Sequence, residues 1–152
     1  MASSGDRIRA LRDRAGLTQA ELAQRTGIAQ PKLSDYERGV VVPSPSSFDR
    51  IVRAARRRPS EVLEEHADEV LILAAKYNLR RVRVFGSAVY GTDTPDSDID
   101  LLVTPESSTS LFDLSGFANA TEELLGYPVD VISDTAGRGI ILDRARAEAI
   151  PL

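Results

Sequence analysis

The sequence predicts two domains: an all-helical one over residues 1–64 and an α/β one with a small mixed sheet over residues 65–152. Three observations predict it. Apolar residues recur at helical spacing as far as Arg58, the pattern changes to strand alternation at Arg81, and charge is divided between the two parts. Residues 1–58 hold twelve Lys and Arg against six Asp and Glu, whereas residues 59–152 hold seven against seventeen. A basic segment is the electrostatic footprint of a protein that meets nucleic acid phosphate. An acidic one repels phosphate unless metal ions stand between them.

Composition narrows the function classes. At 152 residues the chain can form one ordinary domain or two small ones, and 42% hydrophobic with 28% charged residues describes a globular protein. The absence of cysteine excludes a disulfide framework and a thiolate metal site, and His66 as the single histidine makes an imidazole zinc site improbable. No apolar run reaches the roughly 20 residues of a spanning helix. The N-terminus Met1-Ala-Ser-Ser-Gly-Asp6 also lacks the parts of a signal peptide, so a cytoplasmic protein with no membrane partner is expected.

In the first domain Ile8, Leu11, Leu22, Ala23, Ile28, Leu33, Tyr36, Phe48, Ile51 and Val52 form the expected core. Gly16-Leu17 breaks the first helix, and Thr18 starts the second because Glu21 completes a Thr-x-x-Glu capping box. Thr26-Gly27 ends that helix. A third is expected from Ala29 to Arg38, with Pro31 tolerated in its first turn and Gly39 as its stop. Pro43-Ser44-Pro45-Ser46 then feeds a fourth helix, whose end at Arg56-Arg57-Arg58 suits the negative pole of a helix dipole.

The second domain begins with helical pattern from Ser60 to Tyr77, with His66 as a solvent-facing linker residue. A strand from Arg81 to Phe85 runs into Gly86-Ser87, and a second strand from Ile99 to Val103 follows a turn-rich stretch. A helix from Leu111 to Leu125, a third strand from Val129 to Ile132, and a closing helix from Ile140 to Ala149 complete it. The closing helix is expected to present Ile140, Ile141, Leu142, Ala145 and Ala149 on one side.

The chemistry concentrates at the strand ends. Ten residues after Gly86-Ser87, Asp98-Ile99-Asp100 opens a strand, so both carboxylates project to the same side. Asp130 stands between Val129 and Val131 and joins them if the strands are adjacent. Two charges about 4 Å apart repel by roughly 4 kcal/mol at an effective dielectric of 20, so the cluster calls for a divalent cation. Hard oxygen donors select Mg²⁺ or Mn²⁺. A Gly-Ser turn supplies a closely approachable backbone and a hydroxyl for phosphate oxygens.

Phe85-Gly-Ser87, Asp98-Ile-Asp-Leu-Leu-Val103 and Val129-Asp-Val131 together resemble the minimal nucleotidyltransferase (MNT) branch of the DNA polymerase β-like superfamily, over residues 67–152. The resemblance implies a nucleotidyltransferase fold and Mg²⁺-dependent transfer of AMP from ATP. It implies Asp98, Asp100 and Asp130 as catalytic metal ligands and Gly86 and Ser87 as nucleotide-binding residues. Many members carry Ala-Arg-Gly where this chain has Val89-Tyr90-Gly91.

Leu17-Thr-Gln-Ala-Glu-Leu-Ala23 with Leu33-Ser-Asp-Tyr-Glu-Arg-Gly39 resembles the helix-turn-helix of the phage repressor-like (XRE) family, over residues 4–64. The resemblance implies a recognition helix in the major groove of double-stranded operator DNA. Gln30, Lys32, Ser34 and Asp35 are then placed toward base edges, and Gln19 and Arg38 toward phosphates. Ala29 replaces the usual hydroxyl cap, and Pro31 removes a polar contact.

A transferase half of this length is expected to lack its own acceptor-binding domain, and its substrate is expected to come on a partner. The MNT resemblance implies an antitoxin that adenylylates a tyrosine of a HEPN-domain ribonuclease toxin, in a hetero-oligomer, with the helix-turn-helix repressing the shared operon. The alternative is a DNA-binding repressor whose transferase fold senses nucleotide or holds a partner. A binding-only module has no use for a third carboxylate.

Overall fold

Hydroxyl caps set the helix starts of the N-terminal part. Ser3 and Asp6 form a reciprocal box at α1 (Ser4–Arg14), Thr18 and Glu21 form the expected one at α2 (Gln19–Thr26), and the Ser44 hydroxyl accepts from the Ser47 amide at α4 (Pro45–Ala54). The helix between them, α3 (Gln30–Glu37), has no side-chain cap at Ala29 and carries Pro31 in its first turn. These four helices close around Ile8, Leu17, Leu22, Ile28, Leu33, Tyr36, Ile51 and Ala55. Leu11, Ala23 and Phe48 pack at the margin of this core, and Val52 lies outside it.

The computed structural model describes all 152 residues and divides them into two compact units, Met1–Arg57 and Arg58–Leu152. The second unit opens with α5 (Pro59–Glu65) and α6 (Ala67–Lys76), where the sequence predicts one helical stretch; the chain breaks at His66. Val62 and Leu63 of α5 are buried in the core of the second unit, so the expected junction at 64/65 falls at the end of this helix while the units divide ahead of it.

Four strands form a sheet in the order β3-β2-β1-β4. The first, β1 (Leu79–Phe85), runs antiparallel to both β2 (Ile99–Pro105) and the two-residue β4 (Ile150–Pro151). The last neighbour, β3 (Val129–Ser133), runs parallel to β2 and is reached through the crossover helix α8 (Leu111–Leu125). One face of the sheet, with Ile99, Leu101, Val103 and Val129, packs on Val70 and Ala74 of α6 and on Phe117 and Leu125 of α8. The other face, with Phe85 and Leu102, is covered by Leu142 and Ala145 of α9 (Ile140–Glu148).

Two local features position the site. Between Arg80 and Arg83 the β1–β2 register slips, and Arg81 adopts φ 51, so β1 carries one extra residue opposite β2. After this bulge Phe85 faces Asp100 across the ladder. The second feature is Asp93, 4% exposed, which accepts from the Ser60 amide at 2.8 Å and the Ser60 hydroxyl at 3.0 Å. It ties the loop ahead of Asp98 to α5.

The closing helix departs from expectation. Leu142 and Ala145 are buried, but Ile140 and Ile141 are 89% and 70% exposed. Consecutive helix residues point about 100° apart, so Ile141 cannot share the face of Leu142; positions 142, 145 and 149 form the apolar stripe instead. No helix is long and apolar enough to cross a membrane.

Candidate active site and nucleic-acid interface

Parallel pairing places Asp100 of β2 directly beside Asp130 of β3. Asp98 lies one residue before β2, and alternation puts it on the side of Asp100. Asp98 and Asp130 are exposed and Asp100 is half-buried. Burial pushes the Asp100 carboxyl above the usual carboxylate range, and the charges of Asp130 and Asp98 push it further in the same direction. Asp100 therefore feels both of its acidic neighbours.

Gly86 follows β1 with φ 77 and ψ −151, a conformation open essentially to glycine alone. A Cβ built there would stand 2.4 Å from Asp100 Oδ2. Asp100 is thus packed against the Gly86 backbone, and the bare glycine is required by space as well as by φ. Ser87 opens the short α7 (Ser87–Tyr90), which the sequence reading takes only as a turn.

The donor set is all oxygen, and the mutual repulsion at Asp100 is what a divalent cation relieves, so these residues fit Mg²⁺ or Mn²⁺ in chemistry and in backbone register. In their present rotamers the side chains do not converge into a group of three metal-ligating carboxylates. Beside them a cavity of about 500 Å³ is lined by Phe85, Gly86, Ser87, Tyr90, Thr92 and Asp100 on one side and by Ile140, Ile141, Arg144, Ala145 and Glu148 of α9 on the other. This volume lies in the range of small-molecule sites. The contribution of α9 is absent from the sequence reading, which treats that helix as closure; the spacing of Ile141, Arg144 and Glu148, a second face of the helix, is the signal that marks it.

In the N-terminal unit, Gln30, Lys32 and Arg38 are exposed on or next to α3, and Ser34 and Asp35 are half-buried. Lys32 Nζ lies 5.9 Å from the centroid of the Tyr36 ring, and Arg38 Nη2 donates to Asp35 Oδ1 at 2.5 Å, so those two charges are paired with each other. Gln19 is engaged inside the unit: its amide donates to Glu37 Oε2 at 3.0 Å. The same carboxylate, whose side chain is 1% exposed, receives Arg12 Nε at 2.6 Å and Nη2 at 3.1 Å, with Arg9 at 3.6 Å. Burial alone would raise the Glu37 carboxyl, but the bonds from Arg12 and Gln19 and the nearby charges outweigh it and hold it below the usual value. Glu37 joins α1, α2 and α3, and so fixes the angle at which α3 is presented.

Residues 5–65 match the helix-turn-helix domain family, and residues 63–146 match the nucleotidyltransferase domain family. The chain is 31% identical over 88 residues to MJ0435 of Methanocaldococcus jannaschii, assigned by name to the protein adenylyltransferases; the match spans 58% of this chain and 95% of that protein. It is 37% identical over 71 residues to protein adenylyltransferase MntA of Thermococcus cleftensis, spanning 47% of this chain and 69% of that protein. A solved structure assigned to the minimal nucleotidyltransferases superposes with TM-score 0.56 at 40% identity, over 61% of this chain and 95% of the other. A toxin–antitoxin structure with AMP-PNP shares the fold at TM-score 0.50 and 19% identity, over 55% of this chain and 69% of that one. The chain is a nucleotidyltransferase of the minimal nucleotidyltransferase family, preceded by a helix-turn-helix domain.

Proposed function

We propose that the second unit transfers AMP from ATP to a tyrosine of a partner protein, a HEPN-domain ribonuclease toxin, and that the first unit binds operator DNA and represses the operon encoding both. The observation that carries the catalytic reading is Asp100, paired in register with Asp130 and packed against Gly86. Asp98, Asp100 and Asp130 would hold Mg²⁺ or Mn²⁺, which when bound neutralises charge on the reacting phosphates.

In this reading the acceptor tyrosine oxygen bonds to the α-phosphorus as the bond to the bridging oxygen breaks, and pyrophosphate leaves. Asp130, exposed at the edge of the cluster, takes the phenolic proton. Ser87 donates its hydroxyl to a phosphate oxygen. The partner supplies the acceptor, in agreement with relatives named for protein adenylylation and with a toxin–antitoxin complex on the same fold. Adenylylation of the toxin tyrosine adds bulk and a negative charge beside an RNA-cutting centre.

The test is incubation of the full chain with α-labelled ATP, Mg²⁺ and the protein encoded next to it. Label is expected on a tyrosine of that protein, and Asp98→Ala is expected to abolish it. Transfer that survives Asp98→Ala, or no transfer by the native chain, would refute the reading. For the first unit, Lys32→Ala is expected to weaken binding to the operon's own promoter DNA in a mobility-shift assay. The loss should be larger on that promoter than on unrelated DNA, because Lys32 is placed toward base edges.

A further inference from the structure

The cavity beside Gly86 has a single cation in its lining, and it comes from near the end of the chain. Arg144 of α9 borders the same space as Gly86, Ser87 and Asp100. Its Nε donates to Glu148 Oε1 at 2.9 Å, and Tyr90 borders the same cavity. The remaining charges around this space are negative, and α7 on its border contains no Lys or Arg. A polyphosphate entering here meets carboxylates on one side and Arg144 on the other.

Helix stability does not account for the Arg144–Glu148 pair. Its base precedes its acid, the less favourable order at i,i+4 spacing, and with Arg144 73% exposed the pair contributes little to the fold. An arginine held at a cavity mouth by one partner, with its planar fork otherwise free, suits phosphate oxygens taken two at a time.

We propose that Arg144 is the residue that grips the phosphate chain of the nucleotide, with Glu148 holding it at the cavity. The proposal rests on the nucleotidyl-transfer reading above. The experiment is calorimetric titration of the full chain with ATP and Mg²⁺, without acceptor, for the native protein, Arg144→Ala and Arg144→Lys. Loss of about tenfold in ATP affinity by Arg144→Ala, an unchanged melting temperature, and partial recovery in Arg144→Lys are expected. Equal affinity of native protein and Arg144→Ala overturns the assignment and leaves the nucleotide reading standing. A native chain that does not bind ATP overturns both.

Discussion

Asp100 is held where a carboxylate is costly. It is half-buried, faces Asp130, and lies against a glycine with no room for a methyl group. Asp100→Asn is therefore expected to leave the second unit as stable or raise its melting temperature by about 2 °C, while transfer activity falls about a hundredfold or more. Calorimetry and the label assay check the two halves of that outcome, and a large loss of stability would contradict the repulsion. The pH dependence has a definite sign. Asp100 is shifted up, so the folded state holds its proton more tightly than the unfolded chain and its penalty at neutral pH shrinks on acidification. Glu37 is shifted down, so its stabilisation is complete above its ordinary value of 4.5 and is lost as pH falls through its depressed folded value. Glu37→Gln is expected to destabilise the first unit by about 3 kcal/mol and to flatten its acid sensitivity, measured by amide exchange over α1 to α3 at neutral and acid pH.

At the scale of elements, Gly5 of α1 shows how closely the first helices pack: a Cβ there would stand 2.4 Å from the Tyr36 carbonyl oxygen. Gly5→Ala is expected to cost about 1–3 kcal/mol by denaturant titration, although alanine is the better helix former. Elements with a local cause were legible in the sequence. Thr18 and Glu21 announced α2, the alternation at Val82 and Val84 announced β1, and the Gly86-Ser87 and Asp98-Ile-Asp100 spacing announced the pair of strand ends. What stayed hidden depends on partners distant in sequence. The two-residue β4 exists only because Arg83 and Val84 pair with it. The inward commitment of Gln19 depends on Glu37, eighteen positions away, and the chemistry-bearing face of α9 is defined by a cavity wall from β1 and α7.

At the scale of the molecule, each unit encloses its own core, and the position of α5 decides where the chain can be divided. A fragment of residues 58–152 is expected to melt cooperatively, whereas one of residues 65–152 loses Val62, Leu63 and the Ser60 bonds to Asp93 and should melt at a distinctly lower temperature. Equal melting of the two fragments would show that α5 is dispensable to that core. Within β1 the extra residue between Arg80 and Arg83 is what brings Leu79 and Phe85, six positions apart, to opposite faces of the sheet. Loss of one codon there would match five steps on β1 to the five from Pro105 to Asp100, leaving a regular ladder with Leu79 still in the core and Phe85 still beside Asp100. Descendants of this gene are therefore expected to tolerate loss of the bulged residue, whereas an added one would have to be absorbed by a second irregularity in the strand.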